Sequence, residues 1–199
     1  MSARPPDRRT ARMKTRPHTL GVDDAPFDKR QTEPVPIVAV AMEGNSLIES
    51  IALGRFPVDG EGATDYLATW IASLRARPML QAVILGGITI AGLGLIDITL
   101  LAQRLDLPVL VVTRHNPANS ELSNALQAAK LQERLELLER IPRAYRFKDG
   151  LYLAHAGATR VEAERLLTAT LGKARLPEPL RVAHLIGQAL VLGESRGRV

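Results

Sequence analysis

Apolar positions along the chain first recur as short continuous runs and later at helical spacing. His18 to Asp23 is a mostly apolar run broken by Pro26, and Pro36 to Met42 is a continuous, β-rich apolar run. Both read as strands. Glu43-Gly44-Asn45 is a turn signal, and Leu47 to Leu53 then supplies the returning strand of a hairpin. The charged loop Asp28–Pro34 separates this hairpin from the first strand, so the pattern predicts three adjacent antiparallel strands.

Beyond Phe56 the period changes. Val58 to Thr64 is a loop with Gly60 and Gly62, and Thr64 is a candidate helix cap. Leu67, Trp70, Ile71 and Leu74 follow at helical spacing, with Pro78 past the end. Ala82 to Leu85 reads as a short buried strand, a Gly-rich turn leads to a helix near Leu93–Leu105, and Pro108 to Val112 is the next strand. Such a strand–helix–strand unit is normally parallel. Asn119 to Glu139 reads as one helix on Leu122, Leu126, Leu131, Leu135 and Leu138. Tyr145 to His155 is an extended segment. Ala158–Leu171 and Pro179–Val191 are two closing helices, with Pro179 suited to a first helical position and Gly193 ending the last. There is no internal repeat.

Composition narrows the classes. The 199 residues are 46% hydrophobic, enough for one sizeable core. The absence of cysteine excludes disulfides, thiolate metal sites and a cysteine nucleophile, and fits a reducing, cytoplasmic setting. No secretory signal is visible, and the most apolar window, Ala82–Ala102, carries four glycines and Asp97, so it reads as a buried strand and helix rather than a membrane span. The net charge of +5 is concentrated at the start: Arg4, Arg8, Arg9, Arg12, Lys14 and Arg16 face one acid, Asp7, while the rest of the chain balances to zero. Residues 1–17 therefore read as a disordered basic tail able to hold phosphates without sequence preference, and residues 18–199 as a single domain. A solubilising tail has the same composition.

Two strings carry a resemblance. Gly21-Val22-Asp23-Asp24-Ala25-Pro26-Phe27 and Leu176-Pro177-Glu178-Pro179-Leu180-Arg181-Val182-Ala183-His184-Leu185-Ile186 look like an endonuclease V-like family linked to cleavage at deoxyuridine. Val58-Asp59-Gly60, Gly87-Ile88-Thr89-Ile90-Ala91-Gly92 and Gly193-Glu194-Ser195 resemble its other motifs. The resemblance implies a ribonuclease H-like α/β fold: a mixed sheet with three antiparallel strands, then parallel strands, and helices on both faces. It further implies Mg²⁺- or Mn²⁺-dependent cleavage of DNA or RNA at deaminated bases, with nucleic acid as partner and no membrane association. Carboxylates suit such hard cations, which activate water and neutralise the phosphate.

On this resemblance Asp23 and His184 are the candidate catalytic residues and metal ligands, with Asp24 and Asp65 as further metal candidates and Asp65 also catalytic. Arg114, at a strand end, stands where the family has a phosphate-facing lysine; Arg181, beside His184, is the second substrate-binding candidate. The match fails at two places. Gly86 occupies the position of the family's acid partner to the first-strand Asp, and Gly62 that of a second acid. Asp59, Glu61, Asp65 and Asp97 are the acids near enough in sequence to substitute. The loss of two acids keeps a second class open, a non-catalytic nucleic-acid-binding or protein-interaction protein on the same fold. The glycines at 86, 87, 92 and 94 do not have the spacing of a dinucleotide or nucleotide loop, and no Gly-x-Ser-x-Gly elbow is present.

Overall fold

The computed structural model describes residues 16–114, 119–148 and 150–195. Most of the expected basic tail, residues 1–15, lies outside them. The elements in order are β1 (His18–Asp24), β2 (Val35–Glu43), β3 (Leu47–Phe56), α1 (Ala63–Ser73), β4 (Ala82–Leu85), β5 (Thr89–Ile90), β6 (Gly94–Leu95), α2 (Ile98–Leu105), β7 (Val109–Thr113), α3 (Asn119–Ala128), α4 (Gln132–Arg140), β8 (Tyr145–Arg146), β9 (Tyr152–Ala156), α5 (Arg160–Thr170) and α6 (Glu178–Leu192).

Seven strands form one sheet in the order β3-β2-β1-β4-β7-β9-β8. β1, β2 and β3 are antiparallel neighbours, β4 and β7 run parallel to β1, and β9 returns antiparallel beside β7. The three antiparallel strands followed by parallel ones are as the sequence pattern predicts. Strand alternation sorts the side chains into two layers. Leu20, Val22, Val83, Leu85, Val109 and Val111 face a core closed by α1, α2, α3 and α4. Ala82, Ile84, Leu110 and Val112 face α5 and the start of α6, and Val38, Val40 and Met42 face the rest of α6.

Several expectations are corrected. The helix read over Leu93–Leu105 begins only at Ile98: Ala91 (φ 50°) and Gly92 (φ 98°) turn the chain into the small β5–β6 hairpin, and the Asp97 carboxylate then caps α2 by accepting from the Thr99 and Leu100 amides. Thr64 does not cap α1. The helix starts after Gly62 (φ 70°), and the Thr64 hydroxyl instead accepts the Asp97 amide at 2.9 Å. The single helix read over Asn119–Glu139 is two, broken where Lys130 takes a left-handed φ of 57°. The second hairpin strand runs on to Phe56, because Gly54 passes under Tyr66 and Trp70 without a side chain in the way. The extended segment after Tyr145 is a hairpin, β8–β9. Pro179 falls at the second helical position of α6, not the first.

Candidate functional site

The packing of α6 and the β5–β6 hairpin against β1 places three candidates at the end of that strand. Asp23 lies opposite Val38 and Asp24 opposite Ile37, the last pairs before Pro26 ends the strand. Their parity sends the two carboxylates to opposite faces. Asp23 turns toward α6, where His184 Nδ1–H donates to its Oδ2 at 2.8 Å. Asp24 turns toward the β5–β6 hairpin, where its Oδ2 accepts the Ala91 amide at 2.8 Å.

Two glycines set α6 at this distance. A Cβ on Gly21 would overlap the Pro179 carbonyl carbon and the Leu180 nitrogen, and one on Gly187 would lie 3.1 Å from the Ala25 Cα. Backbone meets backbone at both points, so His184, between them on α6, is held over Asp23. One turn on, Gln188 Nε2 lies 3.1 Å from His184 Nε2, so both ring nitrogens are engaged.

The electrostatics follow from this packing. The hydrogen bond that His184 donates to Asp23 is the main reason its pKa is raised above the usual 6.5; partial burial and the positive charge of Arg114 oppose it. Burial, and next the Asp23 charge, push the Asp24 carboxyl up to about 6 against an ordinary 3.8. Around them is a pocket of about 200 Å³ lined by Asp23, Asp24, Gly86, Gly87, Thr89 and the apolar edges of β1, β4 and the hairpin. It is smaller than the roughly 300–1,000 Å³ clefts that take drug-sized ligands.

Asp24 gives a pH prediction. The folded chain holds its proton up to about pH 6, whereas the unfolded chain releases it near 3.8. The folded state therefore binds more protons in that window, so this group's favourable contribution is present below about pH 4 and is lost as pH rises through 6. Asp24→Asn keeps an oxygen for the Ala91 amide and removes the charge. It is expected to stabilise the protein by roughly 1–2 kcal/mol above pH 7, a discounted share of the linkage limit. Urea unfolding at pH 4 and pH 7.5 checks this: the gain should appear only at the higher pH.

The remaining candidates sit elsewhere or play visible structural parts. Arg114 is exposed just past the end of β7, close enough for its charge to act on His184. Arg181 is held by Glu178, its Nη2 and Nε donating to Oε2 at 2.6 and 2.9 Å. Asp65 is on the outer side of α1, largely exposed and paired with Arg104 of α2, and does not line the pocket. Asp59 accepts the Leu93 amide at 2.7 Å and so shapes the loop beside the hairpin, while Asp97 caps α2 and Glu61 is exposed. Sequence reasoning missed the Ala91 amide and Arg134, which reaches from α4 to the carbonyls of Leu93, Asp59 and Gly60.

Gly86 is the decisive position. It continues the Ala82/Ile84 face of β4, and a Cβ there would lie 3.1 Å from Asp23 Oδ1 and 3.5 Å from Leu180 Cδ1. A carboxylate at 86 would stand directly against Asp23; glycine leaves that side bare. Gly62 caps α1 and faces open space. Among the described residues no three His, Asp or Glu side chains converge in an arrangement able to hold a metal ion. Asp23 Oδ2 is taken by His184 and Asp24 Oδ2 by a backbone amide. The residues present do not fit the divalent ion that the resemblance implies.

What the Asp23–His184 pair can do is hold a proton between imidazole and carboxylate beside the pocket that Asp23 lines. Among the described residues no helix is long and apolar enough to cross a membrane.

Comparison with known proteins places this geometry. The profile of the family described as endonuclease dU matches residues 15–191. A UPF0215 protein of Methanothermobacter thermautotrophicus is 33% identical over 182 residues, covering 89% of each chain. A solved protein of unknown function from Archaeoglobus fulgidus superposes with a TM-score of 0.80 at 31% identity, covering 88% of this chain and 98% of that one. Endonuclease V of Ciona intestinalis, solved in complex with a DNA containing an inosine, superposes with a TM-score of 0.54 at 13% identity over 84% and 83% of the two chains. The sheet order and the last likeness make the fold ribonuclease H-like, the fold of endonuclease V. The chain belongs to the endonuclease dU family.

Proposed function

We propose that this chain binds nucleic acid carrying a deaminated base across the ends of β1, β4 and β7, and that it does not cut what it binds. The observation that carries this reading is Gly86, which leaves Asp23 without the facing carboxylate that a divalent ion would share. Support for binding comes from the family, from a fold shared with an endonuclease V solved on inosine-containing DNA, and from Arg114, exposed past the end of β7 and near enough for its charge to act on His184. Arg114, exposed just past the end of β7, is suited to a phosphate. The basic residues of the 1–17 tail would add salt-sensitive, sequence-independent contacts to the single domain 18–199.

Asp23 and Asp24 lining one pocket, with His184 bonded to Asp23, favour a second reading, a Mg²⁺- or Mn²⁺-dependent endonuclease acting at deaminated bases in repair. One experiment separates them. Fluorescence anisotropy of labelled strands with and without deoxyuridine or inosine is measured in EDTA, and the same strands are incubated with Mn²⁺ and resolved on a gel. The expected result is tighter binding to the deaminated strand in EDTA, weakened several-fold by Arg114→Ala and by removing residues 1–15, with intact strands in Mn²⁺. Nicking that disappears in Asp23→Ala would establish the second reading. Absence of any binding would leave a protein-interaction role on this scaffold.

A further inference from the structure

The β5–β6 hairpin forms part of the pocket wall through Thr89 and Ile90, with Ile96 just beyond it. It is too small to hold its own shape. Only Thr89 with Leu95 and Ile90 with Gly94 are paired across it, and a lone two-stranded ribbon is marginal even at greater length. Its tip is also bent against preference. Ala91 carries a Cβ yet takes a left-handed φ of 50°, and so does Asp59 beside it, at 52°. The hairpin must therefore be held from outside.

Three backbone ties reach it. The Ala91 amide donates to Asp24 Oδ2 at 2.8 Å, the Ala91 carbonyl accepts the Asp59 amide at 2.9 Å, and the Leu93 amide donates to Asp59 Oδ1 at 2.7 Å. Two of these come from the loop around Asp59, which is itself irregular. Arg134 ties that loop and the hairpin together. Its Nη1 donates to the Leu93 carbonyl at 2.8 Å, and its Nη2 to the Asp59 and Gly60 carbonyls at 2.9 and 3.1 Å. The side chain springs from α4, which is seated in the core by Leu131, Leu135 and Leu138. A planar guanidinium spans two separate segments in fixed geometry, which an ammonium cannot do.

We propose that Arg134 is a positioning residue for ligand selection: by latching the β5–β6 hairpin to α4 it fixes one wall of the pocket, and so sets the chain's preference for strands carrying a deaminated base. The inference rests on the proposed binding of such strands. It gives α4 a part in a pocket that none of its own residues lines. A residue acting this way changes the ratio between two strands. An arginine that touched phosphate would instead weaken every strand alike and lower the salt dependence.

The test uses the full chain and two readouts, NMR-detected hydrogen exchange and anisotropy of strands with deoxyuridine or deoxycytidine at one position. In Arg134→Ala the Ala91 amide, which bonds Asp24, should exchange about ten-fold faster while the amides of β1 and β7 keep their protection. Preference for the deoxyuridine strand should fall by about five-fold, with affinity for the deoxycytidine strand unchanged. Arg134→Lys keeps the stem and the charge but not the fork, so it should show both changes at smaller size, and it decides the matter if Arg134→Ala does not fold. Unchanged exchange at Ala91 overturns the latch. Faster exchange with the preference intact overturns the role in selection, and so does an equal loss of affinity for both strands. A wild-type chain with no preference for deoxyuridine fails the binding reading and this inference with it, whereas a preference that survives loss of Arg134 fails this inference alone.

Discussion

Gly86→Asp is expected to make the protein's thermal stability depend on Mn²⁺, a dependence the wild-type chain should lack. Gly86 is not among the glycines with left-handed backbone, so an aspartate meets no conformational penalty there. Its Cβ would sit 3.1 Å from Asp23 Oδ1, and the flexible end of Leu180 is the only other close neighbour. Without metal, the new carboxylate stands against Asp23 with Asp24 on the other side, in a half-buried pocket where Asp24 already titrates near 6. Like charges at that range destabilise the fold by about 1–3 kcal/mol, which lowers Tm in EDTA. With a divalent ion the repulsion becomes ligation, and metal at a hundred times its Kd restores roughly 2.7 kcal/mol. Thermal unfolding with and without Mn²⁺ reads both signs. Identical responses in wild type and variant would mean that position 86 does not face Asp23 as described.

The second large effect is structural. Gly21→Ala should destabilise the protein by about 3 kcal/mol or more, at the upper end of overpacking costs, because the methyl group meets main chain and no rotamer change can relieve it. The overlap is with the Pro179 carbonyl carbon and the Leu180 nitrogen, so α6 must lift from β1. His184 rides on that helix. In whatever fraction remains folded, its hydrogen bond to Asp23 should lengthen and its pKa should fall back toward 6.5. Chemical denaturation gives the first quantity and NMR titration of the imidazole the second. A loss of less than about 1 kcal/mol, the level of an ordinary surface substitution, would contradict the close docking.

Much of the fold was legible because its strands are nearly continuous apolar runs with turn residues between them. Ala82–Leu85 could be read to the residue for that reason. The failures share a cause: local signals that tertiary contacts reassigned. Thr64 is a good capping residue, but its hydroxyl is spent on the Asp97 amide 33 positions away, and Asp97 itself took the capping role one helix later. Leu93 to Asp97 has the composition of a helix start, yet Gly92 and Ala91 fold it back as a hairpin. At the site, Asp23 and His184 could be proposed from the two motif strings, and strand parity foretold the opposite aims of Asp23 and Asp24. Asp65 could not be placed, because its partner Arg104 lies on another helix. The role of Gly21 is invisible without α6, since a glycine in a strand says only that something comes close.

The central claim is that the groove has kept its histidine–carboxylate pair and lost its cation. Crystals of the wild-type chain soaked in Mn²⁺ test it directly, by anomalous scattering at the end of β1. The account predicts no anomalous peak within ligand distance of Asp23 or Asp24, with His184 still bonded to Asp23. A peak shared by those two carboxylates, with His184 swung away or drawn in as a ligand, would contradict it.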